Sequence, residues 1–480
     1  MSNATVALGL MGATLVAAFV LALRTRGAES LEQWSVAGRG FGSVLVFVLL
    51  AGEIYTTFTF LGGSGWAYGR GAPAYYILAY AAVAFAVGYW LLPPIWQRAS
   101  DWRVISQPEY FAKAFGSEWL GTVVAVVGCV ALLPYLVLQL KGLGILVSES
   151  SYGAVSNQTA IWIGTIATTV YVVLSGVRGS ALTAALKDAL VLAAAVGLGL
   201  ALPHSVHGGI GPMFDTLIAQ RPEFFVLPAQ GMSGVWFTST IVLTVCGFYM
   251  WPHTFGSLFT ARSADSFRRN AVIMPLYQVV LLFVFFIGFA AITAVPGLQG
   301  ADIDLALLRV TRQTYGPWVV GLVGAAGMLT ALVPGSLILM TTATILARLI
   351  TRYHETSARR EVQIARLLVP FLAIIALWFA FNGEQTLVTL LLFAYAIVTQ
   401  LFPSVMVTLW WPHQANAVAA FAGIVVGELL VMWTSLAGLT TASMFPTLPA
   451  NVTDVNIGLL ALTANVLVMW ALTLLLPKRD

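Results

Sequence analysis

Charged residues are scarce in this chain. Asp, Glu, Lys and Arg make up 9% of its 480 positions, while hydrophobic types make up 59%. Ordinary soluble domains carry about 25% charged residues, and with a mean hydropathy of +0.89 the deficit excludes a soluble globular protein. The longest polar interruption, roughly 204–234, still contains "MFDTLIA" and "FFVLP", so no soluble domain is visible. The net charge is +4, spread over short loops, which argues against a nucleic-acid partner. Cysteine is nearly lacking. Cys129 and Cys246 both fall in apolar runs, where they read as small core residues and not as a disulfide. No basic residue precedes the first apolar run, 5–23, whereas Arg24 and Arg26 follow it. A cleaved leader carries its positive charge in front, so this run is expected to stay as a helix with its N-terminus outside.

Apolar runs long enough to cross a bilayer fall at 5–23, 41–68, 73–97, 119–147, 159–176, 184–203 and 235–255, and then at 271–295, 316–350, 363–382, 386–412, 415–436 and 456–477. The reading is an all-α polytopic membrane protein of about thirteen transmembrane helices. With the N-terminus outside, eighteen of the 23 lysines and arginines fall on inner loops, Lys187 being counted there. The outer loops hold four, Arg70, Arg221, Arg309 and Arg312, and Lys141 lies within a span. That asymmetry sets the orientation, with the C-terminus inside.

Two spans are interrupted. The second carries "AGEIYTT" and then "LGGSG"; the seventh carries "CGFYMWPHTFGS", with Pro252 and His253 inside the apolar run. Each opens a set of five helices, 41–203 and 235–412, and paired interruptions of this kind point to an inverted-repeat transporter whose site lies at the midplane. A helix begun at Phe41 has risen roughly 18 Å by Glu53, about halfway through a roughly 30 Å hydrocarbon core. A carboxylate there is costly and, as a rule, functional.

At this point the sequence resembles the sodium:solute symporter family over nearly its whole length. The lead-in "LEQWSVAGRGFG", the helix end "GGSGWAYG" and "LSGVRGSALTAALKDALVL" are similar to family segments. The stretches "AGEIYTTFTF", "LLPYLVLQLKGLG", "YMWPHTFGSLFTARSADSFRRNA" and "TALVPGSLILMTTATILAR" look like its monocarboxylate-permease branch. The resemblance implies leucine-transporter-like inverted five-helix repeats within one transporter domain, 1–480, with an extra helix (5–23) before them and two (415–477) after. It also implies a sodium ion held between the broken second helix and the ninth, with backbone carbonyls near Leu50 and Glu53. The family's serine pair falls on Val333 and Pro334, neither of which has a hydroxyl. Thr330 and Ser336 are the nearby hydroxyls that would substitute if Pro334 distorts its helix. Asp188 matches the family's aspartate at the inner end of the sixth helix, there to guide cations inward or simply to pair with Lys187 or Arg178.

Glu53 then reads as a proton carrier, as a replacement ligand for the coupling cation, or as a structural hydrogen-bonding group. His253 donates to a substrate carboxylate or rests neutral against a local carbonyl. Tyr55, Thr56, Thr57 and Thr59 offer hydroxyls to a small acid, although helix-interior back-bonding to the preceding turn accounts for at least two of them. Lys141 pairs with Glu53 or the substrate, or snorkels outward. His204 and His207 form an H-x-x-H pair without further ligands, and "GGSG" follows no strand, so neither a metal site nor a phosphate loop is expected.

The expectation is a symporter for short monocarboxylates of the pyruvate, lactate and acetate type in the inner membrane, with sodium or the proton as coupling ion. No other cofactor, catalytic machinery, nucleic acid or obligate protein partner is expected; the partners are the small organic acid and the lipid bilayer. The rivals are a carrier of a neutral amino acid or another small solute on the same fold, and a ligand sensor derived from a transporter.

Overall fold

A computed structural model of the protein describes residues 1–25, 27–352 and 356–476; Arg26, Lys478, Arg479 and the final residue of the last expected span lie outside them. The chain is all-helical, because in lipid the backbone must satisfy its own polar groups. In order the main helices are α1 (Asn3–Arg24), α2 (Ser43–Ile54), α3 (Phe58–Arg70), α4 (Ala72–Asp101), α5 (Gln107–Phe115), α6 (Glu118–Ser150), α7 (Asn157–Leu174) and α8 (Val177–His207). They continue as α9 (Gly234–Phe248), α10 (Pro252–Leu258), α11 (Asp265–Ala294), α12 (Pro317–Thr351), α13 (Ala358–Asn382), α14 (Leu387–Trp410), α15 (Ala417–Leu436) and α16 (Ile457–Leu475). Side chains close several starts: Ser117 accepts from Leu120 N on α6, Ser156 from Thr159 N on α7 and Thr386 from Thr389 N on α14. Each such cap takes up a backbone donor that the helix leaves unpaired.

Ten helices are long and apolar enough to cross a membrane, and the two bent pairs α2–α3 and α9–α10 bring the count to twelve among the described residues. The expected count of about thirteen is reached when α7 is added to these twelve. The run at 159–176 does form a helix, α7, but its polar first turn of Asn157, Gln158 and Thr159 keeps it outside that count.

The expected interruptions are both present, bent by 51° between α2 and α3 and by 52° between α9 and α10. In the first, Tyr55 leaves the helical region (ψ 77°), and a wide π-type turn spans Phe58–Gly62. In the second, Pro252 brings no N–H, so the α9 ladder cannot continue through it. Both breaks press on glycines of α6. A Cβ at Gly142 would stand 2.6 Å from Cβ of Thr57, and one at Gly128 2.7 Å from Cγ of Pro252. The start of the first broken span is also tied to the end of the second, since Phe41 N donates to Thr260 O and Arg262 N to Phe41 O, each at 2.9 Å.

The core of the molecule is α12, whose most apolar window is 94% buried, against 22% for α1 and 28% for α16. Pro334 lies within α12 and does not interrupt it.

Candidate functional site

Between the two breaks lies a small chamber walled by Glu53 and Phe58 from the first broken span, Trp251, His253 and Thr254 from the second, and Tyr80, Tyr135 and Tyr395 from α4, α6 and α14. Its free volume of about 10 Å³ suits a single water molecule; anything larger needs the walls to part. The aromatic rings interlock, with centroids 4.9 Å apart for Tyr135 and Trp251, 5.1 Å for Trp251 and Tyr395, and 5.4 Å for Tyr135 and His253.

Two polar atoms give this apolar chamber its chemistry. Oε2 of Glu53 and Nδ1 of His253 are buried and find no hydrogen-bond partner among the described residues. A native protein seldom leaves such atoms unpaired without a reason. The other carboxylate oxygen, Oε1 of Glu53, accepts from Ser257 Oγ at 2.5 Å, and Ser257 also lies 2.9 Å from the carbonyl of His253. Glu53, Ser257 and His253 thus form one cluster across the two breaks. A carboxyl oxygen accepts a hydrogen bond when ionised, and an imidazole nitrogen donates or accepts one according to its tautomer.

The four hydroxyls expected to meet the substrate are engaged elsewhere. Thr59 Oγ1 donates to Ile54 O at 2.8 Å and accepts from Thr56 N at 3.0 Å, while Thr56 Oγ1 accepts from Phe58 N. These two hold the broken backbone together. Thr57 donates to Gln139 Oε1 at 2.7 Å, and Tyr55 to the carbonyl of Tyr277 at 2.8 Å. Lys141 pairs with neither Glu53 nor the chamber; its ammonium donates to the carbonyls of Gly383 and Gln385 in the loop before α14. His207 Nε2 meets Thr293 Oγ1 at 3.0 Å, and no cluster of three metal-ligating side chains occurs among the described residues.

Lys187 is the largest departure from the expected layout. It was placed on an inner loop, yet α8 begins at Val177 and carries Lys187 inside, fully buried. Its ammonium donates to Gly52 O at 2.7 Å and Tyr55 O at 2.8 Å, and pairs with Asp188 Oδ1 at 3.1 Å. Of the carbonyls at the first break, those of Gly52 and Tyr55 are the two that Lys187 takes up. Leu50 stays within the unbroken part of α2, and the carbonyl of Glu53 faces the Tyr135 hydroxyl at 3.4 Å. On α12, Thr330 turns back to Gly327 O, and Ser336 to Val333 O and to Ser180 of α8. Arg178 donates to Ala37 O, leaving Lys187 as the partner of Asp188.

A second narrow cavity continues from the chamber. It shares His253 with the chamber and is walled also by Ser257, Ser106, Leu337 and Ile345. Ser106 and Ile345 in turn line a wide mouth of about 660 Å³, bordered by Arg103, Lys113, Arg348 and Arg352 and by Glu109, Glu118 and Glu361. Arg348 bridges Glu109 and Glu361 there, and Arg352 pairs with Glu118. Burial pushes the Glu109 carboxyl above the usual carboxylate range, and the Arg348 guanidinium opposes that.

Two bent helix pairs wall a chamber, and two further cavities follow it through shared walls at His253 and then at Ser106 and Ile345, within a polytopic helical protein. Residues 34–427 match the sodium:solute symporter family, and the chain belongs to that family. Over 472 residues it is 48% identical to the "Uncharacterized symporter YhjB" of Bacillus subtilis (strain 168), with 98% of this chain and 96% of the relative covered. It is 26% identical to the "Monocarboxylate transport permease protein" of Rhizobium johnstonii, covering 96% and 94%. Among solved structures, a Na+-coupled sialic acid symporter in a substrate-bound, outward-open state superposes with a TM-score of 0.81 at 15% identity, covering 99% of this chain and 98% of that one. At that identity the likeness speaks for the fold.

Proposed function

We propose that this protein is a cation-coupled symporter that imports short monocarboxylates by alternating access. The carrying observation is the pair of unpartnered polar atoms, Oε2 of Glu53 and Nδ1 of His253, facing a chamber at the two helix breaks. The imidazole receives the substrate carboxylate, and the rings of Tyr135, Trp251 and Tyr395 enclose its short apolar body. The Rhizobium relative, named a monocarboxylate transport permease, supports the same substrate class.

In this reading 41–203 and 235–412 are the two repeats, with α1 outside them and α15 and α16 appended. The four basic side chains around the wide mouth support an inner-facing exit under the positive-inside rule, hence an outer N-terminus in a bacterial-type inner membrane. Substrate leaves through the narrow cavity beside His253 and Ser257 when the walls around Ser106 and Ile345 part. The coupling ion is sodium, as the family's name has it, or the proton.

Uptake of labelled pyruvate, lactate, acetate and alanine into proteoliposomes, with sodium and proton gradients imposed separately, tests this. Saturable, gradient-driven accumulation of an acid is the expected result. Uptake of alanine alone would transfer the reading to a neutral amino acid carrier, and binding without uptake to a sensor.

A further inference from the structure

The first helix break leaves the carbonyls of Gly52 and Tyr55 to the Lys187 ammonium, and in a wet or dry interior such dipoles call for a cation or a donor. The second break shows how little suffices. There the freed carbonyl of Met250 accepts from the neutral amide of Gln107 at 2.8 Å. At the first break the protein instead uses a full charge. The Lys187 ammonium donates to Gly52 O and Tyr55 O and stands 3.1 Å from Asp188 Oδ1 as an ion pair. Gly52 gives the room: even a Cβ there would stand 3.2 Å from Cβ of Ala184 and 3.6 Å from Nζ of Lys187.

Sodium does not fit the same place. It is a hard cation that needs several oxygen ligands. The ammonium already fills the position between Gly52 O and Tyr55 O, and Val333 and Pro334 bring no hydroxyl. A sodium ion beside a buried ammonium would also meet like-charge repulsion in a medium of low dielectric.

We infer that the ammonium of Lys187 is the resident cation of this site, tethered by the chain between α2 and α8 in place of a sodium ion, and that the protein works without binding sodium. Asp188 is then the counter-charge that keeps a lone buried cation from costing several kcal/mol. The inference deepens the symporter reading by removing sodium as its coupling ion and leaving the proton.

The test is a binding measurement that requires no knowledge of the substrate. Radiolabelled sodium is titrated over the millimolar range onto purified wild-type protein by scintillation proximity. Melting is then compared in sodium chloride and in choline chloride at equal ionic strength. No saturable sodium binding and no difference in Tm are expected; saturable binding by the wild type overturns the inference. Lys187→Ala extends the test. Its Tm should fall by several degrees in choline chloride and recover in methylammonium chloride, to which the wild type is indifferent. A folded variant that shows no recovery also overturns the inference, and the wild-type titration decides even if the variant does not fold. Uptake failing for every acid in the panel, with sodium binding absent, would remove the monocarboxylate reading and leave the lysine assignment standing.

Discussion

The carboxylate of Glu53 and the hydroxyl of Ser257 meet at 2.5 Å, although 204 positions separate them. One belongs to the first broken span and the other to the second, so the contact joins the two breaks. Any motion that parts α2 from α10 must break it. Glu53→Gln keeps the shape and an acceptor for Ser257 but removes the negative, titrating group. Gradient-driven accumulation should collapse in this variant, while exchange of substrate across the membrane, which needs no net movement of the coupling ion, survives. Counterflow and accumulation measured on the same proteoliposomes check this. Wild-type accumulation by a folded Glu53→Gln protein would reduce the carboxylate to a structural role.

His253 is expected to act on affinity. A charge-assisted hydrogen bond to a carboxylate contributes roughly 1.5–3 kcal/mol, or about 10- to 150-fold. His253→Ala should therefore raise KM by about tenfold or more at normal protein levels. Because the ring also packs on Tyr135 and Trp251, His253→Phe separates the two contributions: it restores packing and should leave KM high. A low KM in the phenylalanine variant would show that the ring serves packing alone.

Much of this arrangement was legible in the sequence, and the reasons differ by residue. Glu53 stood out because a carboxylate within an apolar run is costly, and Pro252 because it cannot continue a helix. Both breaks followed. The chamber's aromatic wall was not legible, since Tyr80, Tyr135 and Tyr395 sit in helices where an aromatic residue signals only burial. Ser257 had a weak signal, one helical turn after His253. Lys187 had a clear one that was passed over: it already lies inside the expected 184–203 span. Counting it with the inner loops assumed that a lysine near a helix end reaches for water. Two freed carbonyls and Asp188 gave it better partners inside. The threonines of the first break offered hydroxyls in the right region, but the broken backbone itself used those of Thr56 and Thr59.

The loop between α11 and α12 makes a further prediction about stability. Asp304 is buried there, with Oδ2 accepting from Leu387 N at 2.9 Å, and burial pushes its carboxyl from 3.8 up to about 7. Between those values the folded protein holds a proton that the unfolded chain has released. Stability from this group is therefore present at low pH and is lost as pH rises towards about 7. Asp304→Asn keeps an acceptor for Leu387 and cannot ionise. Its Tm should vary less than that of the wild type between pH values of about 4 and about 8. An identical pH profile in the two proteins would show that Asp304 does not carry this dependence.

The last prediction concerns how α6 sets the first break. Gly142 faces Thr57, and a Cβ there would come within 2.6 Å of its Cβ and 3.0 Å of its Oγ1. Separations under about 3 Å force something to move, and overpacking of this kind typically costs 1–3 kcal/mol. Thr57 cannot yield alone, because its hydroxyl holds Gln139, which lies on α6 as well. The strain must pass into the bend between α2 and α3, which orients both Glu53 and the carbonyls gripped by Lys187. Gly142→Ala should thus lower transport severalfold with a modest fall in Tm. Gly197→Ala supplies the control, since a Cβ at Gly197 of α8 meets nothing within 4 Å, and it should leave both quantities near wild type. If Gly142→Ala instead loses stability and retains wild-type uptake per folded molecule, the bend is not tuned through α6. Thr57→Ser removes the Cγ2 methyl, 2.7 Å from the added Cβ, but keeps Thr57 Cβ, so it should restore transport to Gly142→Ala only in part; no restoration would mean that the methyl contact is not the cause.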